Sequence, residues 1–249
     1  MRSFIGRTRF RYFVHLRKKL RTIDSDGAHP VTVEHNLKGL QDHTNARMER
    51  LIRPLVSIET VDADSDVLVV GPRTEADLLL LIGYGLKSGK VRGLDLISYS
   101  PWIDLGDMHA MPYEDDAFDV AILGWVLAYS AEPEKVADEL VRVTRDGGLV
   151  AIGLEYSEMT GDDLKELIGY EIEESERPRI NSVPQILELF GDRVRDVYYR
   201  HDAPKRVSHT REGYAQNPSS VIVIFSVDKG GEGGRAAQAE GTARAVGAI

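Results

Sequence analysis

Asp95 is the first residue whose setting suggests chemistry. It closes a short apolar run, Val91–Leu96, and follows the Gly71-Pro72 turn by about 24 positions. A carboxylate there can accept from two neighbouring hydroxyls at once, which is what gripping a ribose requires. The same residue reads equally as a cap or turn former. Three other stretches stand at the ends of candidate strands: Gly71-Pro72-Arg73-Thr74-Glu75, Gly106-Asp107-Met108 and Gly124-Trp125. The 249 residues include no cysteine, which excludes disulfides, thiolate metal sites, iron–sulfur ligation and a cysteine nucleophile. The seven histidines are scattered and form no close pair with acids at ligand spacing, so no metal site is expected.

Rigid elements must bring these stretches together. Val67-Leu68-Val69-Val70 is apolar without alternation, the pattern of a strand buried on both faces, and Gly71-Pro72 stops it. Glu75–Lys87 reads as a helix, with Glu75 and Asp77 near its positive end. Val91–Leu96 and Phe118–Leu123 read as further strands. Pro133–Val143 follows as an amphipathic helix through Val136, Leu140 and Val143. Asp146-Gly147-Gly148 is a turn before a strand at Leu149–Leu154. Upstream, Leu37, Leu40, Thr44, Met48, Leu51, Ile52 and Leu55 share one helical face, ended or bent at Pro54. Downstream come helices near Asp162–Ile172 and Val183–Phe190, then strands at Val194–Arg200 and Ser220–Val227, suited to a hairpin at one sheet edge. This order predicts an α/β fold: a doubly wound, mostly parallel sheet with helices on both faces. Such sheets bind ligands at the carboxyl ends of their strands.

The two ends of the chain differ from the middle. Residues 1–22 hold eight basic residues and no acid, although the whole chain carries a net charge of −9. Phe4, Ile5, Phe10, Tyr12, Phe13 and Val14 are interleaved without a clean helical stripe. Two readings stand: an arm that folds onto the acidic body or has no fixed structure, or a contact with an anionic membrane surface or polyanion. Residues 230–249 are rich in Gly and Ala and read as a flexible tail. The expected division is a basic arm at 1–30, one domain at 31–228 and a tail at 229–249. The acidic balance argues against nucleic-acid coating, and no apolar run is long enough to span a membrane. A cytoplasmic location is expected, with peripheral membrane contact through residues 1–22 and a homodimer left open.

The order of features in residues 106–153, GDMHAMPYEDDAFDVAILGWVLAYSAEPEKVADELVRVTRDGGLVAIG, is distinctive. An acid–hydrophobic pair, Asp107-Met108, precedes Met111-Pro112-Tyr113 and Phe118-Asp119. A strand follows, then a helix with Glu139, Arg142 and Val143, then Gly147-Gly148. On these residues the stretch Asp66–Ser157 resembles the class I S-adenosylmethionine-dependent methyltransferases. The resemblance implies a Rossmann-like core with S-adenosyl-L-methionine as cofactor. Gly71 would let the backbone approach the methionine end. Asp95, with Leu96, would bind the ribose. Asp107 would accept from the adenine amino group, with Met108 against the ring. Gly124 and Trp125 would line the pocket beside the sulfonium. Met108 also reads as a core residue, and Trp125 as a packing anchor.

The chain departs from the family in three places. Val69 stands where an acid is usual, and Pro72 offers no N–H. Arg73 is a charged fork suited to the cofactor carboxylate, or else it pairs with Glu75 or Asp77. Thr74 can cap the helix, and Glu75 can stand in for the missing acid near the cofactor amine. Only Leu96–Gly106 separate Asp95 from Asp107, too few for a crossover helix. That helix should be absent and the next strand short, leaving the adenine side open unless the N-terminal segment, Tyr99 or Trp102 fills it. Finally, Leu123-Gly124-Trp125-Val126 lacks the signature of base-nitrogen methylation, so no sequence-specific nucleic-acid substrate is expected. A hydroxyl acceptor would need a base, for which His109, Glu155, His201 and His209 are candidates. The functional expectation is methyl transfer to a small molecule or a sugar or glycan-type acceptor. The alternative is a non-catalytic methyltransferase-like binding or scaffolding protein. A dehydrogenase-type enzyme acting on nucleotide sugars is weaker, because the first turn lacks Gly-x-Gly-x-x-Gly.

Overall fold

A computed structural model describes residues 2–28, 32–41, 46–156, 180–202 and 219–230. The helix expected at Asp162–Ile172, His209 and the tail beyond Gly230 lie outside the described residues. Nine strands are described: β1 (Arg21–Thr22), β2 (Val67–Val70), β3 (Val91–Asp95), β4 (Ile97–Ser98), β5 (Ile103–Leu105), β6 (Phe118–Gly124), β7 (Thr144–Glu155), β8 (Val194–His201) and β9 (Ser220–Val227). The helices are α1 (Arg2–Phe10), α2 (Thr32–Lys38), α3 (Ala46–Leu55), α4 (Ala76–Gly83), α5 (Pro133–Val143) and α6 (Val183–Phe190).

Seven strands form one sheet in the order β5-β3-β2-β6-β7-β9-β8. The neighbours from β5 to β7 are parallel, and β9 runs antiparallel to both β7 and β8. The doubly wound, mostly parallel α/β sheet and its C-terminal antiparallel hairpin, with β8 at the edge, are as expected. Strand alternation divides the core into two layers. Val67, Val69, Val120, Ile122, Leu149 and Ala151 face Leu51, Ile52 and Leu55 of α3 and Leu78, Leu80 and Leu81 of α4. Their alternates Leu68, Val70, Ala121, Leu123, Val150 and Ile152 face Val136, Leu140 and Val143 of α5 and Val183, Ile186 and Phe190 of α6. The unbroken apolar runs are explained by this: the central strands are sandwiched between helices, while the edge strand β8 is largely exposed.

Several boundaries shift. Helix α4 stops at Gly83, short of Lys87. Strand β7 begins at Thr144, so Asp146-Gly147-Gly148 is not a separate turn but an irregularity within the strand. There Gly147 takes φ +75° and the register with β6 slips between Phe118 and Val120. The face expected over 37–55 is divided among α2, a single 3-10 turn at Gly39–Gln41 and α3, with Pro54 inside the last turn of α3.

The connection from β3 to β5 carries no helix, and β5 has three residues. The N-terminal arm takes that place. It is helical as α1 and continues as a π-helical turn over Arg11–Leu16. Gly6 and Phe10 are buried, four positions apart, on a face too narrow to register as a stripe in the sequence. Phe10 meets Tyr99 edge-on at 5.2 Å and joins Leu40 and Ile97 in a small separate cluster. Beyond it, β1 pairs antiparallel with β4.

Candidate functional site

The loop from β2 into α4 is tightly tied. Gly71 adopts φ +67°, and a Cβ there would overlap the Val126 side chain. Arg73 also lies in the left-handed region, at φ +52°. Every N–H from Gly71 to Ala76 is committed. Gly71 donates to the Leu94 carbonyl at 2.7 Å, and Thr74 donates to the Pro72 carbonyl. The Arg73 amide donates to Asp95 Oδ2 at 2.8 Å, that of Glu75 to Tyr99 Oη at 3.0 Å, and that of Ala76 to Thr74 Oγ1 at 3.3 Å. Pro72 has no N–H to give.

Asp95 sits at the carboxyl end of β3 and is only 5% exposed. Its second oxygen accepts from the Ile97 amide at 3.1 Å. Burial pushes its carboxyl up to about 6, although the Arg73 and Ile97 amides and the Arg73 charge oppose the rise. Glu75 is fully buried and its oxygens are taken. Arg9 of α1 donates Nε to Oε2 at 2.5 Å and Nη2 to Oε1 at 2.8 Å, and the Ser100 hydroxyl donates to Oε1. The Arg9 guanidinium also stacks over Trp102, 3.9 Å from its centroid. The acid offered for a cofactor amine is thus held by the arm.

Arg73 has the opposite character. Its side chain is half-buried and forms no ion pair among the described residues. The guanidinium lies directly against Gly39, where a methyl group would overlap Nη1.

Asp107 follows β5. Its Oδ1 accepts from the His109 amide at 2.9 Å and faces His109 Nδ1 at 2.6 Å. Burial opposes ionisation of Asp107, but hydrogen bonds from His109 and the Ser25 hydroxyl outweigh it and hold the carboxyl below its usual range. With Nδ1–H directed at Asp107, His109 Nε2 accepts from the Ser130 hydroxyl at 2.7 Å. The imidazole, 4% exposed, has both nitrogens engaged and packs under Gly27.

Gly27 belongs to a strap formed by residues 21–28. Ile23 donates to the Leu96 carbonyl at 2.9 Å, Ala131 donates to the Gly27 carbonyl at 2.9 Å, and Ala28 bridges Ser130. The strap therefore crosses the ends of β3, β5 and β6 in turn. Leu96 is half-buried beside it, while Met108 is buried in the core with Leu68, Val70 and Leu94.

At the end of β6, a Cβ on Gly124 would overlap the thioether of Met48. Trp125 adopts φ +59°, and the edge of its ring lies over Gly153. The Arg47 guanidinium stands 5.8 Å from the same indole and donates to Glu155 at 2.6 Å. The indole N–H is buried and has no hydrogen-bond partner among the described residues. His201 closes β8 at the sheet edge, with β9 and β7 between it and β6.

The strand ends of Asp95, Asp107, Gly71 and Gly124 are thus neighbours, and His201 is not among them. Arg9, Ser25, Gly39, Arg47, Ser100 and Ser130 escaped the sequence reading. Arg9 and Glu75 are 66 positions apart, so no local spacing could join them.

Residues 88–152 match a family model described as a methyltransferase domain. A demethylmenaquinone methyltransferase of Lactobacillus johnsonii is 31% identical over 148 residues, 58% of this chain and 57% of the relative. A demethylmenaquinone methyltransferase of Desulfitobacterium hafniense is 25% identical over 168 residues, 59% of this chain and 62% of the relative. The matched regions thus span less than two thirds of either relative. Among solved structures, the complex between the Haloferax volcanii Trm112 methyltransferase activator and a methyltransferase gives a TM-score of 0.55 at 15% identity, covering 81% of this chain and 97% of that one. The [4+2]-cyclase SpnF gives 0.51 at 15% identity, covering 92% and 97%. These two likenesses are of fold.

Proposed function

We propose that the chain is a class I S-adenosylmethionine-dependent methyltransferase, which binds S-adenosylmethionine across the ends of β2, β3, β5 and β6 and methylates a small-molecule acceptor. The observation that carries this reading is the relation of two aspartates. Asp95 is in register with Leu105 of the adjacent strand, and Asp107 follows two residues later. Two carboxylates therefore stand at neighbouring strand ends, where open α/β sheets bind nucleosides.

The residues fit the cofactor. Asp95 would hold the ribose with Leu96, and Asp107 the adenine amino group, with Met108 beneath the ring. The Gly71 turn, with Thr74 leading into α4, would bring the methionine end close, where Arg73 has a charge to offer. Gly124 and Trp125 would border the reactive side. S-adenosylmethionine, when bound, supplies a methyl group already activated on a sulfonium, so the chain's work is alignment and exclusion of water. Glu155, at the end of β7 beside Arg47, is the base candidate nearest Trp125. His109 is tied by both ring nitrogens to Asp107 and Ser130, so it is less accessible to an acceptor than Glu155.

A quinone-type acceptor is favoured over a sugar or glycan. The names of the two relatives point that way. The basic arm that suggested an anionic or membrane-near substrate spends Arg9 and Phe10 on its own body. Among the described residues no helix is long and apolar enough to cross a membrane.

The non-catalytic reading draws on one observation, the commitment of every N–H in the β2–α4 loop. Calorimetry separates the two. S-adenosylmethionine and S-adenosylhomocysteine should bind the wild type, and Asp95→Ala should weaken S-adenosylhomocysteine roughly 100-fold, as loss of a charged hydrogen-bond acceptor implies. Absence of binding to the wild type would overturn the proposal. Methyl transfer from labelled cofactor to a panel of quinols and sugars then identifies the acceptor class.

A further inference from the structure

We propose that the site recognises the methionine end of its cofactor through the carboxylate alone. Arg73 is then the specificity-determining residue, and the amino group has no acidic partner. This rests on the reading that the ligand is an S-adenosyl compound, and it concerns how one end of that ligand is held.

The first argument is an inventory of donors. A carboxylate arriving at the β2–α4 loop needs N–H groups. The amides of Gly71, Arg73, Thr74, Glu75 and Ala76 already donate to Leu94, Asp95, Pro72, Tyr99 and Thr74, and Pro72 has none. Two donors remain in the loop among the described residues, the buried Thr74 hydroxyl and the Arg73 guanidinium; only the second is charged, and it is half-buried and without an ion pair among those residues. A guanidinium offers two parallel N–H groups to a carboxylate, a geometry no single amide matches.

The second argument is an inventory of acids. Val69, two positions before Gly71, is in the core. Glu75 has no exposed surface, and Arg9 and Ser100 occupy both its oxygens. Asp77 has a partner of its own. Asp95 accepts two backbone amides and is held toward its neutral form. Among the described residues, an ammonium brought to this loop meets an arginine and no free carboxylate.

A slot is built for the guanidinium. Gly39 lies against Nη1 and Cζ of Arg73, and any larger residue there would displace them. The turn at Gly39–Gln41 thus packs against the guanidinium through a residue with no side chain.

Binding of three probes by calorimetry tests this: S-adenosylhomocysteine, its decarboxylated analogue and its deaminated analogue. Loss of the carboxylate should weaken binding by about 10- to 100-fold, the worth of a charge-assisted hydrogen-bonded pair. Loss of the amine should change it by less than about threefold. Arg73→Gln should weaken S-adenosylhomocysteine by the same factor as decarboxylation and leave the decarboxylated analogue unaffected. Arg73→Lys should recover part of the loss. Thermal melting should show both variants folded as the wild type, since no ion pair is broken. A larger penalty for deamination than for decarboxylation overturns the inference, as does an Arg73→Gln variant that binds normally. In both cases S-adenosylhomocysteine still binds, so the functional reading stands; failure of all three probes on the wild type removes both.

Discussion

The two flanks of the sheet are held down by different physics. Beyond β6, α5 and α6 bury Val136, Leu140, Val143, Val183, Ile186 and Phe190 against alternate residues of the strands. That layer is apolar and continuous. On the β3–β5 flank, where the chain is too short for a crossover helix, the cover comes from the N-terminus. It is fastened by a few particular contacts: Arg9 to Glu75, Phe10 against Tyr99, β1 to β4, Ser25 to Asp107, and Gly27 to Ala131. A helix missing from one place can thus be replaced by a distant segment, provided it satisfies the polar groups that the short connection leaves open. These fastenings lie at the edge where the nucleoside is proposed to bind, so stability and ligand affinity should be coupled on this flank and independent on the other.

Substitutions on the two flanks sharpen that contrast. Leu140→Ala opens a cavity in the continuous layer and should cost about 3–4 kcal/mol, lowering the melting temperature by roughly 10 °C. S-adenosylhomocysteine affinity, measured well below the melt, should stay unchanged. Arg9→Ala strands a buried carboxylate and should cost about 3 kcal/mol. Here affinity should fall as well, and adding Glu75→Gln should restore most of the stability because no charge is then left unpaired. Equal affinity in Arg9→Ala and the wild type would break the proposed coupling.

Acidity probes the same edge. In the folded chain the Asp95 carboxyl titrates at about 6, above its unfolded value near 3.8. The folded state therefore favours the protonated form. Its stabilising contribution is fully present below about pH 4 and is lost as the pH rises through about 6. Ligand hydroxyls donate to the ionised form, so S-adenosylhomocysteine should bind about fivefold more weakly at pH 5 than at pH 6, with little change above pH 7. Asp95→Asn should flatten the stability slope between pH 4 and 6. The smallest effect belongs to Ser130→Ala, which leaves His109 Nε2 without its donor. It should cost about 1 kcal/mol, or 2–4 °C, read by thermal melting.

Much of this molecule was legible along the chain. Val67–Val70, Pro133–Val143 and Ser220–Val227 declare themselves because an apolar run or a 3.6-residue stripe is a local property, set by neighbours within a few positions. The missing crossover helix could be read from the count of residues between Asp95 and Asp107. The helical arm could not, because its packed face is short and broken: Gly6 and Phe10 are buried, and Phe13 and Val14 only half-buried against the same cluster. Asp95 and Asp107 could be placed at neighbouring strand ends because strand ends follow from strand assignment.

What the order of residues determined is the alternation of strands and helices, the doubly wound sheet, and the set of strand ends at which the nucleoside is proposed to bind. What only the tertiary structure decided is which charged group near those ends is paired and which has no ion pair among the described residues. Glu75 and Arg73 are two positions apart, yet one is neutralised by Arg9 and the other faces a bare glycine. Charge pairing acts over a few ångströms in space, whatever the separation along the chain, so the partner that decides each residue's role comes from a segment that reaches it only on folding.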